Sequence, residues 1–121
     1  DEYNLLAKTA TDAANSYRTI AVDFAVPKKI DVTNNATSID VCGVKNIEFK
    51  NGGVTTVTEF LRGYEGQQIT LTANNSNTTL FHDNVKFRLG GSIDYPLTNN
   101  NNLTVINDNG ERFEEISRTS F

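Results

Sequence analysis

The sequence predicts an all-β chain, folded as an antiparallel β-sandwich of the jelly-roll kind, and three observations lead there. From Tyr17 onward, apolar residues alternate with polar ones over most of the chain, which is the period of a half-buried strand. Gly, Asn and Asp gather between the alternating runs, at the roughly 8–12-residue spacing of all-β domains. No helical pattern separates one run from the next, so the βαβ units of an α/β fold are missing. About eight or nine short strands result, enough for two sheets that bury their inner faces against each other.

Residues 1–16 stand apart. Leu5, Leu6, Ala7, Ala10, Ala13 and Ala14 sit near helical spacing without forming a long apolar stripe. So short a helix is marginal in water, and the segment is read as a linker or helical turn joining an upstream stalk to a β-domain spanning 17–121. In residues 17–26, Ile20, Val22, Phe24 and Val26 alternate with Thr19, Ala21, Asp23 and Ala25. Pro27 ends that strand because it cannot donate to a ladder. Ile39 and Val41, then Ile47 and Phe49, continue the alternation up to Asn51-Gly52-Gly53, a turn that supplies positive-φ residues. Residues 54–61, rich in Thr and Val, form a further strand. Ile69, Leu71 and Ala73 make the next, and Val85, Phe87 and Leu89 another, with polar turns at 74–77 and 83–84. Residues 103–106 and 112–116 flank Asp108-Asn109-Gly110, the strongest hairpin signal in the chain.

Composition narrows the function. At 121 residues the chain fits one domain. Its apolar fraction of 37% is lean for a self-sufficient core, and Met and Trp are absent. With 16 Asn, 15 Thr and a net charge of −4, the surface is polar but lightly charged. It carries no basic footprint for nucleic acid. No run approaches the ~18 apolar residues of a bilayer span, and no signal-peptide core follows Asp1. A chain that opens without Met reads as a fragment of something longer. Cys42, alone, cannot form an intrachain disulfide and suits a small hydrophobe beside Val41, Gly43 and Val44. Sequons at Asn35, Asn74, Asn77 and Asn102 are expected by chance in so Asn- and Thr-rich a chain.

The second half carries a recognisable order of motifs. Gly66-Gln67-Gln68-Ile69-Thr70-Leu71 is followed by Asn77-Thr78-Thr79-Leu80 and Val85-Lys86-Phe87-Arg88-Leu89-Gly90-Gly91. Leu103-Thr104-Val105-Ile106, Asn109-Gly110 and Phe113-Glu114-Glu115-Ile116-Ser117-Arg118 complete it. This order resembles the small C-terminal β-domains of phage tailspikes, tail fibres and neck appendages, with Phe113 where that family usually has Trp. The resemblance implies a homotrimer at the distal end of a virion tail protein, binding a host-surface polysaccharide or receptor. The alternative it equally implies is a structural trimerisation cap with no ligand. A lean core suits assembly, since neighbouring copies bury what one copy exposes.

Catalytic equipment is not legible. His82 and Asp83 are strand neighbours that point to opposite faces, so they do not make a base and its orienter. No Ser sits in a nucleophile elbow. Asp23, Asp40, Glu48, Glu59 and Glu65 show no spacing that marks two as a glycosidase pair. Asp108-Asn109-Gly110-Glu111 lacks an EF-hand spacing and reads as a turn. The chain is therefore expected to be no enzyme and to need no cofactor, metal, nucleic acid or membrane. Glycan binding asks less: amide, carboxylate and hydroxyl hydrogen bonds, and an aromatic ring against a sugar face. Two loops offer these groups, Tyr64 and Glu65 between glycines, and Asp94 and Tyr95 just ahead of Asn99 and Asn100. Both tyrosines equally suit a covering role at the sandwich ends.

Overall fold

The computed structural model describes residues 28–119. The linker over 1–16 and the strand over 17–26 lie outside the described residues. In chain order the strands are β1 (Lys28–Val32), β2 (Ser38–Asp40), β3 (Val44–Phe49), β4 (Thr55–Val57), β5 (Glu59–Leu61), β6 (Gln68–Ala73), β7 (Thr78–Leu80), β8 (Phe87–Arg88), β9 (Tyr95–Leu97), β10 (Asn102–Asn107) and β11 (Phe113–Thr119). The all-β class is as expected.

The arrangement is a correction to the expected antiparallel sandwich. Strands β1, β3 and β6 lie side by side and parallel, with Ile30 beside Ile47 and Ile47 beside Leu71. Strand β2 is parallel to β5, and β4 to β7, each pair in a sheet of its own. The chain therefore winds through three sheets and returns, one coil above the last, as a short β-solenoid. Alternation tells which side chains face inward, but not whether the neighbouring strand runs with or against them. A solenoid and a sandwich thus share one hydrophobic pattern.

The winding then reverses. Strand β9 runs antiparallel to β7, β10 antiparallel to β6, and β11 antiparallel to β10 across the expected 108–110 turn. Gly110 has φ 92 there, and its N–H goes to the Asn107 side chain. The main sheet has the order β1-β3-β6-β10-β11-β8, so the C-terminal hairpin stacks on the last parallel coil.

Two expected strands change shape. The run 54–61 divides into β4 and β5 because Thr58 turns a corner between sheets, donating its N–H to the Thr37 carbonyl. Of the run 85–89 only Phe87 and Arg88 remain extended, since Asp83 Oδ1 draws the Val85 N–H into a turn and leaves Val85 exposed. Phe87 keeps its inward parity and packs edge-on against Phe60 at 4.7 Å between centroids. Phe60 also meets Phe113 at 5.2 Å, so three rings fill the lumen near the reversal. Aliphatic residues from all three sheets fill the rest, among them Val41, Ile47, Val57, Leu71, Leu80 and Leu103. Cys42 is half-buried with a free thiol, in keeping with its expected role. Among the described residues no helix is long and apolar enough to cross a membrane.

Candidate functional site

Tyr64 sits where the chain leaves β5 and enters β6. Arg62, at φ 60, and Gly66, at φ 88, bend the backbone on either side of it. The Tyr64 hydroxyl accepts from Lys45 Nζ at 2.9 Å, and that ammonium also lies 5.4 Å from the ring centroid. Beneath the loop, buried Gln67 accepts the Tyr64 N–H on Oε1 and donates from Nε2 to the carbonyls of Val41 and Val44. The loop is therefore pinned to the preceding coil, with Tyr64 half-buried and Glu65 exposed at its tip. Gly63 is required here, because a Cβ would come within 2.8 Å of the Phe113 ring.

The second expected loop behaves differently. Tyr95 and Leu97 face inward while Pro96 faces out, so Tyr95 is only 7% exposed. Its ring is covered by the Arg118 guanidinium, 4.0 Å from the centroid. As a ring for stacking a sugar from solvent, Tyr95 is a correction: the inward parity of β9 takes it into the core. Asp94 is exposed, but its Oδ1 accepts the His82 N–H at 2.8 Å. His82 in turn accepts the Leu89 N–H on Nδ1 at 3.1 Å, so both side chains brace this corner.

Asn99 and Asn100 are exposed in the turn before β10, with Asn100 at φ 68 and its N–H on the Ala73 carbonyl. That contact places them at one end of the β6–β10 pair. The Tyr64 loop is at the other end, where the Gly66 N–H meets the Asn107 carbonyl. A six-residue strand separates them, a length of about 17 Å or more. The six expected contact residues therefore do not form one patch.

What joins those two ends is a surface that single-residue reasoning did not single out. On the outward face of the main sheet, Asn46, Thr70, Thr104 and Ser117 are lateral neighbours on β3, β6, β10 and β11. Glu48, Thr72, Asn102 and Thr119 form a parallel second row. All eight are partly or fully exposed. Sheet geometry spaces such rows by about 4.7–4.9 Å across strands and ~6.6–6.8 Å along them. All but Glu48 are neutral, and each offers a hydroxyl or amide that both donates and accepts. The triplets Thr70-Leu71-Thr72 and Asn102-Leu103-Thr104 were visible in the sequence, but their alignment depends on the register.

Ion pairs border this face at one edge. At the β1 edge Lys29 bonds Glu48 at 3.1 Å and Lys50 bonds Asp31 at 3.2 Å. On the opposite side of β11, level with inward-facing Leu103 and Val105, Arg118 pairs with Glu115, whose Oε1 also accepts the Gly90 N–H. The guanidinium first, and the amide after it, hold the Glu115 carboxyl below its usual range despite the opposing effect of burial. Arg62 does the same for Asp40 in the open. Among the described residues no three His, Cys, Asp or Glu side chains gather as a metal site. Comparison of the chain with protein-family models, with curated proteins and with solved structures found no match.

Proposed function

We propose that this chain is a non-enzymatic attachment module, the C-terminal β-domain of a phage tail fibre or tailspike. In this reading it contacts host-surface glycan and assembles as a homotrimer on the virion. The observation that carries the glycan reading is the outward face of the main sheet, with its two registered rows of hydroxyl and amide side chains. A polysaccharide presents a repeating set of hydroxyls, and a repeating set of neutral donors and acceptors answers it without the desolvation cost of charged groups. Tyr64, half-buried at one end of this face, offers a ring edge and a hydroxyl beside exposed Glu65. Asn99 and Asn100 extend the polar surface at the other end. Single contacts of this kind are weak, and three linked copies raise their effective concentration. The virion context rests on the motif order over residues 66–118. The trimer rests on that resemblance and on the lean core.

The structural-cap reading has its own support in the antiparallel β10–β11 hairpin, which ends the parallel stack. Retention of the chain on an array of immobilised bacterial surface polysaccharides separates the two. Thr70→Val with Thr104→Val removes two hydroxyls and keeps the β-branched shape. We expect at least about tenfold weaker retention with unchanged sedimentation. A chain that sediments as a trimer and is retained on none of the polysaccharides favours the cap. Release of new reducing ends from any of them would overturn the non-enzymatic assignment.

A further inference from the structure

Two Asn-Gly pairs occur in the chain, Asn51-Gly52 and Asn109-Gly110. Each follows a main-sheet strand, β3 in the first case and β10 in the second. A glycine places no Cβ beside its own backbone nitrogen, so that nitrogen has steric access to the side-chain carbonyl carbon of the preceding asparagine. The two glycines are equally open: a Cβ on Gly52 or on Gly110 would meet no atom within 4 Å. The asparagines differ. Asn51 is fully buried; its Nδ2 donates to Thr78 Oγ1 and its Oδ1 accepts the Asn35 N–H, so both ends of the amide are held. Asn109 is exposed, as is Gly110. The Asn109 Oδ1 accepts two backbone N–H groups, from Arg112 at 2.7 Å and from Glu111 at 3.0 Å. Both bonds engage the oxygen and not the amide nitrogen.

We propose that Asn109 is a site of spontaneous covalent modification in the folded chain, by ring closure onto Gly110, and that Asn51 is protected from the same reaction. The Gly110 nitrogen loses its proton to hydroxide and attacks Cγ of Asn109, forming an N–Cγ bond. Negative charge builds on Oδ1, where the Arg112 and Glu111 N–H groups already point, as the donors of an oxyanion hole do. The Cγ–Nδ2 bond then breaks, and Nδ2 leaves as ammonia with a proton from water, which restores the hydroxide. Water hydrolyses the cyclic imide at either carbonyl. Opening at one returns an ordinary aspartate at 109, which keeps an acceptor for both N–H groups. Opening at the other gives an isoaspartyl link, in which the main chain runs through Cβ and Cγ and the turn between β10 and β11 lengthens. That lengthening draws the Gly110 N–H away from Asn107 Oδ1, 2.5 Å from it in the intact turn. Asn107 is buried and its Nδ2 already has no partner, so losing this bond strands the whole side-chain amide. The same bond retains the Gly110 proton, so the folded chain reacts at 109 more slowly than an unfolded one.

The test incubates the full chain at mildly alkaline pH, native and in urea, and follows both sites by peptide mapping. Conversion of amide to acid changes the peptide mass, and an isoaspartyl methyltransferase marks the lengthened product. In urea the two sites should convert at similar rates. In the native chain Asn109 should convert, while Asn51 lags by at least about tenfold because it must first give up buried hydrogen bonds. Tm should fall in step with the isoaspartyl content at 109. Asn109→Ser keeps an oxygen for the two N–H groups and has no amide to lose, so its Tm should hold through the same incubation. Equal conversion of the two sites in the native chain, an Asn109 that stays intact there, or an equal loss of Tm in Asn109→Ser would each overturn the proposal.

Discussion

Asn51 donates from Nδ2 to Thr78 Oγ1 at 3.0 Å, and both residues are buried. The same asparagine accepts the Asn35 N–H on Oδ1, and its carbonyl receives the side-chain amides of Asn75 and Asn77. One residue thus ties a corner of the first coil to the corners of the next two. Burying Asn51 is tolerable because its amide and its carbonyl both find partners.

Asn51→Ala should therefore destabilise the chain by about 2–4 kcal/mol, since it strands the Thr78 hydroxyl and the Asn35 N–H. Thr78→Val should cost about 1–3 kcal/mol by stranding Nδ2. The double variant should cost less than the sum by roughly 1 kcal/mol, as expected for residues in direct contact. Urea unfolding of the four proteins measures the coupling, and strict additivity would show that the bond contributes nothing.

Gln67 does at the opposite corner what Asn51 does here. Its Nε2 bridges the carbonyls of Val41 and Val44 at 2.7 and 2.9 Å. Gln67→Leu should lose about 2–4 kcal/mol, because two buried carbonyls lose their donor. Gln67→Glu should be worse at neutral pH, since a carboxylate faces those carbonyls with charge and no proton. Its deficit should shrink as pH falls and the carboxyl protonates, which a denaturation series from pH 7 to 4 would follow.

These corners explain what the sequence disclosed and what it hid. The inward set was legible apart from Val85: Ile39, Ile47, Ile69, Leu71 and Phe87 are all buried as their alternation requires. So was the 108–110 hairpin, whose turn chemistry is local. Parallel pairing was not legible, because Ile30 beside Ile47 is a long-range register that neither run specifies alone. A clue did lie in Asn35, Asn51 and Asn75, each placed shortly after a main-sheet strand, a recurrence that marks coil corners better than it marks sandwich loops. For the site, composition made a neutral polar surface legible, but Tyr95 was judged by its loop-like neighbours Asp94 and Pro96. Parity within β9 decided otherwise.

Gly63 and Phe113 make a contact that tolerates no addition. A methyl at Gly63 would sit 2.8 Å from the Phe113 ring and 2.9 Å from Asn107 Nδ2. Gly63→Ala should cost about 1–3 kcal/mol from overpacking. Phe113→Leu removes the ring edge at its own cost, and in that background Gly63→Ala should cost clearly less. Thermal unfolding of the single and double variants tests this, and an equal penalty in both backgrounds would place the strain elsewhere.

Glu115 gives the fold an acid-sensitive element. Its side chain is 10% exposed, and the Arg118 guanidinium and the Gly90 N–H favour its charged form, so its folded pKa lies below the ordinary 4.5. A lowered folded pKa means that the unfolded chain binds the proton more readily. The stabilisation is therefore complete above about pH 4.5 and is lost as pH falls through the folded value. Glu115→Gln keeps an acceptor for Gly90 but cannot titrate. Its stability deficit relative to the parent should be largest above pH 5 and should narrow steadily in the acid range. Chemical denaturation of both proteins at matched ionic strength from pH 6 to 3 reads that difference. A gap that stays constant across the series would mean that the pairing of Glu115 with Arg118 does not contribute to folding through its charge.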